Sequence, residues 1–121
     1  MKKILIVEDN NDLREIYTTV FANNGYEAKN ANTGLSGIVL AVDFNPDLIL
    51  LDIMMPDMDG VSFLKALKEN TSKNMPVFVF TNISDDKIYK ECLDLGAKKV
   101  LLKADYTPSS IFEEVNSYLN A

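Results

Sequence analysis

Three runs of four residues, Ile4-Leu5-Ile6-Val7, Leu48-Ile49-Leu50-Leu51 and Val77-Phe78-Val79-Phe80, contain no polar side chain. A strand with one wet face alternates apolar and polar residues, whereas an unbroken run belongs to a strand covered on both faces. Covering both faces takes helices, and amphipathic stretches of helical length do separate the runs. The pattern predicts an α/β protein whose strands are parallel, since each helix gives the chain room to return before the next strand.

The remaining elements fill the gaps. After the first strand, Asn10, Asn11 or Asp12 can cap a helix whose apolar stripe is Leu13, Ile16, Tyr17, Val20 and Phe21. Gly25 ends it, and Glu27 to Ala31 is a weak strand suited to a sheet edge. Leu35, Ile38, Val39 and Val42 mark a second helix, closed by the Asn45-Pro46 turn. Asp52 to Gly60 reads as a loop, followed by a short helix on Phe63, Leu64 and Leu67. Ser84 or Asp85 starts a fourth helix carrying Ile88, Cys92, Leu93 and Leu95, and Gly96 terminates it. Val100-Leu101-Leu102 is the fifth strand. Thr107 and Pro108 open the last helix, with Ser110 to Glu113 as an alternative capping box, and Ile111, Phe112, Val115 and Leu119 form its buried face. Five βα units use up residues 1–121 as a single domain. Right-handed crossovers favour a doubly wound, flavodoxin-like (βα)5 sheet of order 2-1-3-4-5.

Composition removes several functions. A net charge of -6 gives no basic surface for nucleic acid. There is no His, so imidazole catalysis and ligation are excluded within the chain, and the single Cys92 excludes an internal disulfide. Cys92 reads as a small buried hydrophobe. The first apolar run is too short for a signal peptide and no run reaches transmembrane length, so the expectation is a cytoplasmic protein that does not touch membranes.

Strand ends then point to a site. Glu8-Asp9, Asp52, Thr81 and Lys103 each follow one of the apolar runs. In a sheet of this order the carboxyl ends share one rim, and ligands sit where the strand order reverses, between the first and third strands. Glu8, Asp9 and Asp52 fall there. Three crowded carboxylates call for a cation, and oxygen-only ligands favour Mg²⁺ or Mn²⁺ over zinc. With a hydroxyl and an ammonium beside them, phosphoryl chemistry is the natural use. Taken singly, each residue has a plainer reading: the acids as solvated loop caps, Thr81 as a β-branched strand residue, Lys103 as a snorkelling lysine. Arg14, Asp57 and Asp59 read as solvated helix or loop positions.

The chain resembles the receiver domain of bacterial two-component response regulators over essentially its whole length. The likeness rests on Val7-Glu8-Asp9-Asn10, the run from Asp52 through Met54, Pro56, Asp57 and Asp59 to Gly60, Pro76-Val77 through Thr81, Gly96-Ala97, and Lys103. It implies that Asp52 is the phosphoacceptor, charged by a sensor histidine kinase or a histidine phosphotransfer protein. It implies that Glu8, Asp9, Asp52 and the carbonyl of Met54 hold Mg²⁺. Thr81 would bond a phosphoryl oxygen in the switched-on state, and Lys103 would pair with the acyl phosphate. Output contacts would use the face of the fourth helix, fifth strand and fifth helix, here with Lys87, Lys90, Glu91, Lys98 and Lys99.

Some positions depart from that family's pattern. Ala104 follows Lys103 where a proline with a cis bond is usual. A cis bond before a non-proline residue costs about 2.5–4 kcal/mol, so a trans bond is expected. Val100 stands where an aromatic switch residue is common, and Asn82 where a very small residue is usual. Met54 and Ile83 occupy the two positions that tune attack by water. Neither orients a water as an acid or amide would, so slow self-dephosphorylation is expected. No turnover enzyme is expected beyond self-phosphorylation and its slow reversal. The absent Gly-rich loop after the first strand, and of a second acid two positions past Asp52, argues against a phosphohydrolase or nucleotide-binding enzyme. The competing expectation is a degenerate receiver that acts as a phosphorylation-independent scaffold, which Val100 and Ala104 favour. No output domain is expected after the fifth helix.

Overall fold

A computed structural model describes residues 1–121. The strands are β1 (Lys3–Val7), β2 (Glu27–Ala31), β3 (Leu48–Leu51), β4 (Val77–Thr81) and β5 (Lys99–Leu102). The helices are α1 (Asn11–Asn23), α2 (Gly34–Phe44), α3 (Gly60–Asn70), α4 (Asp86–Asp94) and α5 (Pro108–Leu119), and a single 3-10 turn spans Lys103–Asp105. All strand pairs are parallel and the order is β2-β1-β3-β4-β5, as the apolar runs predict.

Alternate side chains of the central strands feed two cores. Leu5, Val7, Ile49, Leu51, Val77 and Val79 pack under α2, α3 and α4. Ile4, Ile6, Leu48, Leu50, Phe78 and Phe80 pack under α1 and α5. That two-sided burial is why β1, β3 and β4 carry no polar residue between their ends. The edge strands relax the rule: β2 is Glu-Ala-Lys-Asn-Ala, and the residues of β5 are half-buried. No helix is long and apolar enough to cross a membrane.

Several boundaries and faces differ from expectation. The apolar residues that mark α2 do form a helix, but only Ile38 of them is buried: Leu35 is 64% exposed, Val39 54% and Val42 45%. The buried face is Gly34, Gly37, Ile38, Ala41 and Phe44. Small residues let the helix come close, and a Cβ on Gly37 would lie 3.0 Å from both Phe63 and Val7. Glycine and alanine carry little hydropathy signal, so a helix apolar all round hides which side faces in. On α1, Tyr17 and Phe21 are buried but Ile16 is 43% exposed; on α4, Cys92 is buried and Leu93 is 48% exposed.

Gly60 belongs to α3, not to the preceding loop. Asp59 caps that helix, its carboxylate accepting from Ser62 N at 2.8 Å. The box at the start of α5 pairs Thr107 with Ser110, not Ser110 with Glu113: Ser110 N donates to Thr107 Oγ1 at 3.1 Å and Thr107 N to Ser110 Oγ at 2.8 Å. Strand β5 starts one residue early, at Lys99, and β4 runs on to include Thr81. Asp85 rather than Ser84 caps α4, and Gly96, at φ 104, turns the chain out of that helix.

Candidate functional site

Register brings the site together. Val7 pairs with both Ala31 and Leu51, and the ladder continues one step past the strands: Glu8 N donates to Ala31 O and Asp52 N to Val7 O, each at 3.0 Å. Glu8 and Asp52 thus leave neighbouring strands side by side. Leu51 pairs with Val79, and Thr81 with Leu102, which sets Thr81 and Lys103 at the same end of β4 and β5.

Lys103 reaches from β5 across β4 to both acids. Its Nζ donates to Asp52 Oδ2 at 2.8 Å and to Glu8 Oε1, and it lies 6.0 Å from the Phe80 ring centroid. All three side chains are at most 8% exposed. A buried cation between two buried carboxylates is a high-stakes arrangement, because each charge has left water and depends on the others. Burial raises the Glu8 pKa above its ordinary 4.5; Lys103 opposes this and Asp52 adds to it. Burial works against the Lys103 ammonium, but hydrogen bonds and charge from Asp52 and Glu8 carry its pKa above 10.5.

The remaining carboxylate oxygens are tied to the backbone. Asp52 Oδ1 accepts from Met54 N at 2.9 Å, and Glu8 Oε2 from Asn10 N at 3.2 Å. Asn10 caps α1 by accepting from Leu13 N. Arg14 is more than a solvated helix residue, because its Nη1 donates to the carbonyls of Glu8 (3.0 Å) and Asp9 (3.4 Å) and pins the acidic turn to α1. Asp57, likewise, caps α2 by accepting from Gly34 N and Leu35 N at 2.9 and 3.1 Å. These amides hold its pKa below 3.8. Neither role shows in a linear pattern, because each partner is fixed only by folding.

Glu8, Asp9 and Asp52 each present an oxygen within 4.8 Å of the others, so the cluster is able to coordinate a metal ion. Oxygen-only donors suit a hard divalent cation. Asp9 is exposed while the other two are buried, which leaves one open side. The acids and Lys103 therefore converge as expected, in a cluster poised for metal and phosphoryl coordination. Thr81 does not join them in this state. It is fully buried, and its Oγ1 accepts from Ile83 N at 3.2 Å.

Among the other positions singled out in the sequence, the Met54 side chain is 53% exposed. Asn82 and Ala104 are exposed and Ile83 is half-buried. Val100 packs at the margin of the α2–α4 core. The Lys103–Ala104 bond is trans, as no cis bond occurs. Two tyrosines adjoin these residues, and no linear pattern marks them as neighbours of the site. Tyr17, 7% exposed, packs edge-on against Phe80 at 5.4 Å and feels the charges of Lys103, Glu8 and Asp52. Tyr89 donates to the carbonyl of Ile83. A phenol within an apolar helical stripe was the only available signal for Tyr17.

Comparison with known proteins agrees with this geometry. Residues 4–116 match the response regulator receiver domain. Sporulation initiation phosphotransferase F of Bacillus subtilis is 33% identical over 98% of this chain and 94% of its own length. Regulatory protein AtoC of Escherichia coli is 35% identical over 85% of the chain, and transcriptional regulatory protein YdfI of Bacillus subtilis 33% over 97%. The chain spans only 22% and 54% of those two longer relatives. Among solved structures, a CheY-like response regulator receiver domain protein from Methanospirillum hungatei superposes with a TM-score of 0.90 at 27% identity, covering 99% of this chain and 94% of that one. A match across nearly the whole sequence, on a fold and an acidic rim reached independently, places this chain in the response regulator receiver domain family.

Proposed function

We propose that the chain is a phosphorylation-controlled signalling switch in which a carboxylate oxygen of Asp52 takes a phosphoryl group from a phosphohistidine. The donor is a sensor histidine kinase or a histidine phosphotransfer protein, and a small acyl phosphate substitutes in vitro. The observation that carries the reading is the placement of Asp52, whose two oxygens are aimed by Met54 N and Lys103 Nζ. Glu8, Asp9, Asp52 and the Met54 carbonyl are assigned to a Mg²⁺ ion, with Mn²⁺ as a substitute. When bound, the ion shields the charge of carboxylate and phosphoryl from each other. Lys103 supplies a second positive charge at the same point, held in place before reaction. Thr81 is assigned to a phosphoryl oxygen in the modified state. Asn82, Ile83, Val100 and Ala104 are assigned to the setting of signal lifetime and coupling.

The product adds negative charge and strong acceptor oxygens to a packed rim, a local event that biases nearby loops and helices. The face of α4, β5 and α5 is the assigned output surface. Here Lys87 and Lys98 are exposed, Lys90 pairs with Asp94 and Lys99 with Glu114. The reading places residues 1–121 as one receiver domain in the cytoplasm, where histidine kinases transfer phosphoryl groups. Incubation with acetyl phosphate and Mg²⁺, followed by intact mass, tests it against Asp52→Asn. One added phosphoryl group on the native chain alone is expected. No addition, also with a panel of phosphorylated histidine donors, overturns it in favour of a phosphorylation-independent scaffold, the reading that Val100 and Ala104 favour.

A further inference from the structure

The loop that leaves β4 after Thr81 is held from two sides at one residue. Ile83 N donates to Thr81 Oγ1 at 3.2 Å, and the Ile83 carbonyl accepts from Tyr89 Oη. Tyr89 lies on the first turn of α4, and that turn is anchored without help from the ring. Asp85 Oδ1 accepts from Lys87 N at 3.0 Å and from Ile88 N at 3.3 Å, and Tyr89 N donates to Asp85 O at 3.0 Å. The phenol is therefore not needed to start the helix. It is the group that connects the helix to the Thr81 loop.

Burial first, then the charges of Asp86, Asp105 and Asp85, push the phenol above its ordinary 10.0 and keep it a neutral donor. Asp105 closes the 3-10 turn that begins at Lys103. One side chain on α4 thus bonds the segment after Thr81 and feels the charge of Asp105 in the turn after Lys103. Val100, the residue three before Lys103, has no hydroxyl to offer either segment.

We propose that Tyr89 is a positioning residue for Thr81: its bond to the Ile83 carbonyl holds the loop with Thr81 Oγ1 on Ile83 N, so that Thr81 reaches a phosphoryl group on Asp52 only as this tie gives way. The proposal rests on Asp52 being the phosphoacceptor. It follows that the tie stabilises the unmodified state and that its loss favours the modified one. A single hydrogen bond contributes about 1 kcal/mol, a factor of about 5 in the balance of two states.

The test is Tyr89→Phe, which keeps the ring and removes the donor. Beryllofluoride with Mg²⁺ serves as the phosphoryl probe, and amide exchange at Ile83 is followed in the unmodified protein. Expected are faster exchange of the Ile83 amide, about fivefold tighter beryllofluoride binding, and unchanged affinity for Mg²⁺ alone. The gain in beryllofluoride affinity should disappear in a Thr81→Ala background, which a merely structural role would not require. Unchanged Ile83 exchange overturns the tie whatever the phosphoryl chemistry. Unchanged or weaker beryllofluoride binding, or a gain that survives Thr81→Ala, overturns the positioning role. If the native chain binds no beryllofluoride, the phosphoacceptor reading fails, and the positioning role falls with it even where exchange at Ile83 rises.

Discussion

Lys103→Met keeps an apolar stem of similar length and removes the one cation shared by Glu8 and Asp52. At 2.8 Å and an effective dielectric constant near 20, the attraction between Lys103 and Asp52 alone is about 6 kcal/mol before desolvation is counted. Desolvation offsets much of that, and truncating one partner of a buried pair costs about 3–5 kcal/mol. Such a loss takes a large share of a domain stability of about 5–15 kcal/mol. With an m-value near 2 kcal/mol/M, the urea midpoint falls by about 2 M at neutral pH. The structure offers two ways to relieve the orphaned acids. Glu8 already has a raised pKa, and removal of Lys103 takes away the influence that opposes burial. A carboxyl whose folded pKa lies above its unfolded value costs stability when ionised, and the cost disappears as pH falls through the folded pKa toward 4.5. The deficit should therefore shrink from pH 7 to pH 5. Mg²⁺ at a hundred times its Kd should restore about 2.7 kcal/mol by mass action. The Lys103 contribution in the native chain has the opposite dependence. It is fully present below 10.5 and lost only as pH rises through the higher folded pKa. A neutral-pH deficit below about 1 kcal/mol, or one indifferent to both acid and Mg²⁺, would refute the picture of a buried, shared counter-ion.

Gly60→Ala places a Cβ 1.9 Å from Ile53 Cγ2 and 3.2 Å from Ile53 Cα, so the backbone between Asp52 and Met54 has to shift. Equilibrium unfolding should show a loss of about 1–3 kcal/mol, with weaker Mg²⁺ binding by titration. Asp57→Ala removes the cap on Gly34 N and Leu35 N, and because the carboxylate is exposed the loss at neutral pH should be about 0.5 kcal/mol. The folded pKa lies below 3.8, so this contribution is present above 3.8 and lost as pH falls through the folded value. Urea melts of variant and native chain should converge in acid.

What the sequence disclosed depended on which signals survive without coordinates. The unbroken runs of β1, β3 and β4 disclosed a two-sided parallel sheet, because burial on both faces leaves no room for a polar residue. Strand ends disclosed the acidic rim, since parallel register alone sets Glu8, Asp52 and Lys103 at one end of the sheet, with Thr81 at that end but bonded to Ile83 N instead. The helix α2 was legible but its buried face was not, because close packing uses Gly37 and Ala41 and leaves Leu35, Val39 and Val42 outside. Lys103 was expected beside the acyl phosphate on Asp52, but its second partner, Glu8, was not. That bond depends on side-chain reach over β4, which no spacing encodes. The Tyr89–Ile83 bond was hidden for the same reason. It joins residues six apart across a loop and a helix start, where period and propensity say nothing about a phenol.

The charge balance of the rim explains why a neutral hydroxyl matters there. Glu8, Asp9 and Asp52 against Lys103 leave a local charge of -2, which a single divalent cation neutralises. Lys103 meanwhile serves as an internal counter-ion that lets two buried carboxylates fold side by side. Turning Asp52 into an acyl phosphate replaces one carboxylate charge with nearly two and sets strong acceptor oxygens on the rim. Arg14 is engaged with the carbonyls of Glu8 and Asp9, and Lys103 is already shared between two acids. Beyond what Lys103 and a bound divalent cation satisfy, the new oxygens call for a neutral donor. Thr81, fully buried one strand away and bonded only within its own loop, is a hydroxyl that rearrangement can bring to them. On the proposed reading, the switch would respond to the modification because the unmodified state leaves a product acceptor without a donor, and movement of the β4–α4 loop would bring Thr81 to it.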